Sequence, residues 1–288
     1  ISLAAVQKTG LCGDTKVVSV SHDQVSAAVG AGAFDGSVAV DGAGTVECLT
    51  PVYDQIPDID VMYQGYFSVV PYVIPGKYVA YAFSYTGGAL MQWCTETLAK
   101  KEMQLAKEQG ISVNEYLEQA YASQKEEIPS GLLVLPHFAG AATPYMDTGS
   151  KGAVLGLTTA TTTADIYRGC MEGVVYEMYL NMQALQGSGI RFEKIHATGG
   201  GAHSEEWMQM KADMLNVPMV ALKTVDAGTV GSAMLTGIAI GLFHDLQDAA
   251  FHMVEEIKTY EPRPAMHEKY MRIYEKYQNV YQAVRPLM

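Results

Sequence analysis

Ala197-Thr198-Gly199-Gly200-Gly201-Ala202-His203 decides how the rest of this chain is read. Ahead of it, Arg191–His196 alternates like a strand entering a sheet. Behind it, Ser204–Leu215 (SEEWMQMKADML) carries Trp207, Met208, Met210, Lys211, Met214 and Leu215 at roughly helical spacing. A strand, three glycines and a helix place bare backbone at a helix N-terminus. Glycine lets the chain approach a ligand closely, and unpaired N–H groups there suit a phosphate or the flat edge of a base. A plain tight turn uses the same residues, so the segment is weighed with its neighbours.

Upstream, Phe67–Ile74 and Tyr78–Tyr85 read as strands around Pro75-Gly76-Lys77. They end in Thr86-Gly87-Gly88-Ala89, where a helix, Leu90–Lys101, begins with Gln92 and Trp93 in its first turns. This is a second strand–glycine–helix junction. Further upstream, Ser37–Val40 and Val46–Leu49 flank Asp41-Gly42-Ala43-Gly44-Thr45 and read as a hairpin. Its turn offers N–H groups and the Thr45 hydroxyl to a phosphate, or simply closes the hairpin. Lys16–Val20 reads as a strand running into Ser21-His22-Asp23-Gln24, a short helix from Val25, and Gly30-Ala31-Gly32. Asp23 is either a helix-capping carboxylate or a general base at a strand's C-terminal end, where ligands of α/β sheets gather.

Lys100–Lys125 is polar, helical and charge-interleaved, the pattern of a solvated excursion. Gly131–Leu135 reads as a buried strand, followed by a loop through Lys151 and a long helix over about Ala164–Leu185. Pro218–Leu222 reads as a strand. Asp226-Ala227-Gly228-Thr229 caps a buried helix, Val230–Phe243, whose small residues favour close packing. Asp245–Ile257 reads as an amphipathic helix and His267–Leu287 as a last one, with Tyr270, Tyr274, Tyr277 and Tyr281 forming a docking stripe. The order gives an α/β domain with a mixed sheet and several glycine loops converging on one edge.

The 288 residues carry a net charge of −12, which argues against a nucleic-acid surface. No apolar run reaches membrane-spanning length, and the opening does not read as a signal peptide. The four cysteines are far apart in sequence without a CxxC pair, as expected of reduced thiols in a cytoplasmic protein. The chain opens on Ile1 with SLAAVQKTGLCGDTKVV, which reads like the middle of a protein, so a fragment or an engineered domain boundary is expected.

His22-Asp23-Gln24 with Gly30-Ala31-Gly32, Gly44-Thr45, Gly88 through Gln92-Trp93, Gly156-Leu157-Thr158 and GGGAHSEEWMQMKADMLNVPM (Gly199–Met219), in this order, resemble the C-terminal half of the FGGY family of carbohydrate kinases. The family includes glycerol, xylulose, ribulose and gluconate kinases, and the resemblance covers essentially the whole chain. It implies an actin-like ATPase (ribonuclease-H-like) domain spanning residues 1–288, with residues 100–127 as the helical excursion and an N-terminal sugar-binding domain absent. By position, Asp23 matches the family's catalytic base and Gln24 a substrate-facing residue. Gly44, Thr45, Gly88 and Gln92 match nucleotide-contacting positions, and Gly200, Gly201 and Ala202 the adenine and ribose edge. Glu205 stands where glycerol kinases carry an asparagine, and a carboxylate cannot donate as an amide does. The implied activity is transfer of the γ-phosphate of ATP to a sugar or polyol hydroxyl. Mg2+ would be shared with the missing domain, and no metal ligand is assigned here. The implied partners are a small sugar or polyol and the missing domain, with a homodimer left open and neither nucleic acid nor membrane. The alternatives are a non-catalytic actin-like module that binds nucleotide or a partner, and a structural domain with an exposed apolar face on the Tyr270–Tyr281 helix.

Overall fold

The computed structural model describes residues 1–124 and 129–288. A short helix α1 (Leu3–Thr9) precedes α2 (Asp23–Gly30), and a hairpin of β1 (Val38–Ala43) and β2 (Glu47–Tyr53) follows. Next come α3 (Ile59–Gln64), β3 (Ser68–Pro71), β4 (Tyr78–Ser84), α4 (Gly88–Leu98), α5 (Lys100–Gln109) and α6 (Val113–Gln124). A two-stranded ribbon, β5 (Leu133–Leu135) and β6 (Ala153–Leu155), leads to the long α7 (Thr163–Gly187). The chain closes with β7 (Lys194–Thr198), α8 (Glu205–Leu215), β8 (Met219–Leu222), α9 (Ala227–Ala239), α10 (Leu246–Met253), β9 (Glu256–Tyr260), α11 (Pro264–Tyr277) and α12 (Val280–Val284).

The main sheet has the order β3-β4-β2-β1-β7-β8-β9. β3, β4, β2 and β1 are antiparallel neighbours, β7 and β8 run parallel to β1, and β9 closes the far edge antiparallel. Period-two alternation divides the side chains between two cores. Val38 and Val40 of β1 and Val220 and Leu222 of β8 face α2, α9 and α10. Ala39, Met219 and Ala221 face the other layer, with α4, α7, α8 and α11.

Register brings the glycine loops together. Gly42 pairs with Thr198, so the ends of β1 and β7 stop level, and Glu47 pairs with Ser84, which sets the end of β4 beside the same hairpin tip. The chain can leave β7 there only through glycine. Gly199 has φ +95°, and a Cβ on it would stand 2.5 Å from the Ala43 carbonyl oxygen.

Several expectations change. Lys16–Val20 is not a strand, so Asp23 opens α2 without a strand behind it. The expected Asp245–Ile257 helix stops at Met253 and its last two residues begin the edge strand β9, and β6 lies just past the loop read through Lys151, in residues given no element. The final helix breaks between α11 and α12. The tyrosine stripe does dock, but inward: Tyr270, Tyr274 and Tyr277 are buried, with Tyr176 of α7 in ring contact with Tyr274 and Tyr277. That removes the exposed apolar face considered for this helix. α9 is only half buried, its buried side being Ala227, Gly231, Met234 and Gly237. All four cysteines are free thiols, and Cys94 of α4 and Cys170 of α7, distant in sequence, are both buried in the same core. Of the expected excursion 100–127, residues 125–127 lie outside the described residues. Within it α5 is solvated, but α6 packs on α7 through Leu117 and Tyr121.

Candidate functional site

The level loops open onto a cavity of about 590 Å³. Gly44 and Thr45 line it from the hairpin tip, Gly88 and Gln92 from the start of α4, and Gly200 and Gly201 from the single 3-10 turn Gly200–His203. Six positions from three distant stretches of sequence thus share one chamber, as expected.

The backbone groups differ in what they can offer. The N–H groups of Gly87, Gly88 and Ala89 donate to the carbonyls of Thr45 (3.0 Å), Gly44 (2.9 Å) and Thr45 (3.1 Å). The start of α4 is therefore spent on holding the hairpin tip, and is not bare backbone. The amides of Thr45 and Gly200 have no protein acceptor among the described residues. Orphan N–H groups at a glycine-rich turn are the elements of an anion cradle.

Gly200 and Gly201 also face opposite ways. A Cβ on Gly200 would meet nothing within 4 Å, whereas one on Gly201 would meet Ala43 Cβ at 2.9 Å and Trp207 Cζ3 at 3.0 Å. Gly200 leaves the chamber clear, and Gly201 lets the turn pack on its own support.

Four of the sequence-selected positions lie outside this chamber. Asp23 is about 80% exposed at the first position of α2, with Oδ1 accepting the Gln24 amide at 2.7 Å and 3.0 Å from His22 Nδ1. His22 stacks on Tyr81 of β4, which holds the start of α2, and Asp23 with it, against that strand. Gln24 follows it in the first turn of α2. Ala202 is buried within the 3-10 turn. Glu205 pairs with Lys258 at 2.9 Å and lines an outer annex of about 620 Å³.

The residues missed in sequence are those that wall the chamber: Met91, Asn114, Glu118, Tyr167 and Trp207. α6 contributes two of them, contrary to its reading as a mere surface excursion. The signal was present, because Val113, Leu117 and Tyr121 are spaced like one apolar helix face and a helix so patterned must dock. Burial pushes the Glu118 carboxyl up, partly countered by the Ser204 hydroxyl donating to it at 2.9 Å. Among the described residues, no lysine or arginine lines the chamber. Nor do three His, Cys, Asp or Glu side chains gather as a metal-binding group among the described residues.

A second constellation is structural. His137 Nδ1 lies 2.8 Å from Ser150 Oγ and its Nε2 3.1 Å from Glu177 Oε1, the connectivity of a hydrolytic triad. Ser150 is completely buried, and Tyr277 donates to the other Glu177 oxygen at 2.7 Å. The network ties the Ser150 loop and α11 to α7.

Residues 43–240 match the C-terminal domain of the FGGY family of carbohydrate kinases. The chain belongs to that family. It is 26% identical over 288 residues to a xylulose kinase of Staphylococcus epidermidis, covering 100% of this chain and 55% of that protein. It is 31% identical over 192 residues to a glycerol kinase of Koribacter versatilis, covering 65% of this chain and 36% of that protein. The chain spans about half the length of the curated relatives it matches. In fold it is similar to a ligand-bound xylulose kinase from Lactobacillus acidophilus, with a TM-score of 0.81 at 24% identity, covering 98% of this chain and 55% of that one. It is also similar to Plasmodium falciparum glycerol kinase with ADP, with a TM-score of 0.71 at 18% identity, covering 90% and 50%. The mixed sheet flanked by helices is the actin-like ATPase fold of this FGGY domain. Among the described residues no helix is long and apolar enough to cross a membrane.

Proposed function

We propose that this FGGY domain is the nucleotide-binding, base-bearing half of an ATP-dependent sugar or polyol kinase, acting in the cytoplasm. The observation that carries the reading is the single chamber formed by Gly44, Thr45, Gly88, Gln92, Gly200 and Gly201, with the Thr45 and Gly200 amides free to meet phosphate oxygens. Phosphoryl transfer asks a protein mainly for positioning and charge neutralisation. This half supplies the positioning through neutral donors. With no lysine or arginine lining the chamber among the described residues, the charge falls to Mg2+ carried in with the phosphates and to a facing N-terminal domain. Residues 1–288 act as one domain, with 100–127 as its helical excursion. Trp207, Tyr167 and the annex beside Glu205 suit the base and ribose, and Gln92 the adjoining part of the nucleotide.

Asp23 is the base in this reading. It is exposed, ionisable and at the start of α2, where a second domain would present a hydroxyl, so it takes the proton as that oxygen attacks the γ-phosphorus. Gln24 beside it meets the sugar or polyol. The test is calorimetric titration of this chain with MgATP and MgADP. Saturable binding that disappears in Gly200→Val supports the reading. No binding by this chain, nor by a polypeptide that joins it to its N-terminal domain, refutes it.

A further inference from the structure

Beneath the chamber wall, Lys211 of α8 is wholly buried, its Nζ 2.6 Å from Asp41 Oδ2 and in direct contact with Glu47. Asp41 is on β1 and Glu47 on β2, at the two feet of the tip that carries Thr45. Glu47 pairs with Ala43 across the hairpin, so the two carboxyls are diagonal neighbours on one face. The same Nζ stands 4.6 Å from the ring centroid of Trp207, one turn earlier on α8. Thr45 and Trp207 line the chamber from different walls. Lys211 is joined to both.

We propose that Lys211, together with Asp41 and Glu47, is a positioning residue that locks the hairpin tip to the Trp207 wall and so sets the width of the nucleotide chamber. The proposal rests on the nucleotide reading of that chamber. Two carboxylates on one hairpin face repel, and an unpaired charge in the interior is costly. Among the described residues, Asp41 Oδ1 and Glu47 Oε2 have no hydrogen-bond partner. A proton held on Glu47 between the two carboxyls satisfies both and leaves the cluster neutral. Burial, reinforced by the Asp41 charge and opposed by Lys211, pushes the Glu47 carboxyl well above its usual range. The other group facing it is the backbone at Gly87, whose Cβ position lies 2.8 Å from Glu47 Oε2, while the adjacent Cys48 thiol points to the opposite face of the sheet. Ionising Glu47 puts a second negative charge directly under the turn that meets phosphate. The lock therefore loosens, and nucleotide affinity falls, as pH rises.

The experiment uses a Trp93→Phe background, in which Trp207 is the sole tryptophan of the chain's two. Acrylamide quenching of Trp207 and MgADP affinity are measured from about pH 6 to about pH 9.5, spanning the range into which a buried carboxyl is shifted. In the parent, quenching rises and affinity falls toward alkaline pH, and Glu47→Gln flattens both profiles. Lys211→Met raises quenching and weakens MgADP by at least about tenfold at neutral pH. Superimposable pH profiles for the parent and Glu47→Gln overturn the proposal, as does a folded Lys211→Met with parental quenching and affinity. If Lys211→Met does not fold, the Glu47→Gln profiles decide. If the parent binds no MgADP at any pH, the affinity measurements move to the polypeptide that joins the chain to its N-terminal domain; no binding there either overturns the nucleotide reading, and the quenching profiles then decide whether the lock exists.

Discussion

A side chain on Gly231 would place its Cβ 1.8 Å from the carbonyl oxygen of Ser26, and one on Gly30 would stand 1.9 Å from that of Ala227. α2 and α9 therefore touch backbone to backbone, and this contact fixes where the N-terminus of α2, with Asp23, emerges. Gly231→Ala must push the helices apart. The expected cost is about 3 kcal/mol or more, a drop of about 6 °C or more in melting temperature. Thermal unfolding followed by circular dichroism checks it, and an unchanged melting temperature would show that the crossing is looser than described.

The neighbouring glycines of the 3-10 turn separate packing from binding. Gly200→Val puts its side chain into the open chamber, so it abolishes MgADP binding with a melting temperature within about 2 °C of the parent. Gly201→Val drives a side chain into Ala43 and Trp207 and costs about 1–3 kcal/mol of stability as well. Paired calorimetry and melting distinguish the two. Equal binding by Gly200→Val and the parent would mean that the turn faces no ligand.

For Asp23 the informative protein is the polypeptide that includes the N-terminal domain. Asp23→Asn should lower kcat by about 10²–10⁴ while leaving the KM for MgATP within about threefold. The carboxylate stands outside the glycine-lined chamber, so its loss should leave nucleotide binding there unchanged. Steady-state kinetics with a panel of sugars and polyols reads both constants, and an unaltered kcat removes Asp23 from the chemistry.

If the chamber takes the nucleotide, magnesium should dominate affinity, because among the described residues it offers unpaired amides and no lysine or arginine. Chelation with EDTA is expected to weaken ADP binding by at least about tenfold, against the near-indifference of a site that neutralises phosphate with its own lysines. Parallel titrations with and without the metal measure the ratio. Equal affinities would point to a cation source on this chain.

His196 gives a pH signature. Its Nδ1 donates to the Ala31 carbonyl at 2.7 Å, and Nε2 lies 3.3 Å from Glu256 without a well-formed hydrogen bond. Burial holds the imidazole below its ordinary value of 6.5, outweighing the carboxylate. A histidine with a depressed folded-state pKa adds stability that is present above 6.5 and lost as pH falls through the lowered value. His196→Asn keeps a donor for Ala31, so its melting temperature should fall less than the parent's between neutral and mildly acidic pH. Parallel acid limbs in the two proteins would exclude His196 as the source.

Local pattern carried much of this architecture. The glycine junctions and the Asp226 cap are written in adjacent residues, and the structure has them where the sequence does. What stayed hidden depends on partners far along the chain. Lys211 reads as one more position on an amphipathic helix, because the acids that bury it are 170 and 164 residues away. Glu118 and Asn114 sit on a helix whose charge masks its docking face. β9 escaped notice because an exposed edge strand, Glu256–Tyr260, buries only Tyr260 and so lacks a clear apolar alternation. Asp23, which opens α2 with no strand behind it, is legible as chemistry only through family resemblance, since locally it is one more acid at a helix start.

The bonds from Gly87, Gly88 and Ala89 to the hairpin tip also govern isotope exchange. Those three amides should take up deuterium slowly even without ligand, because the tip already shields them. Thr45, Gly200 and Gly201, with no acceptor among the described residues, should label quickly. A footprint of the chamber is therefore readable at these residues and silent at the three at the start of α4, where slow labelling reports the integrity of the hairpin, not occupancy.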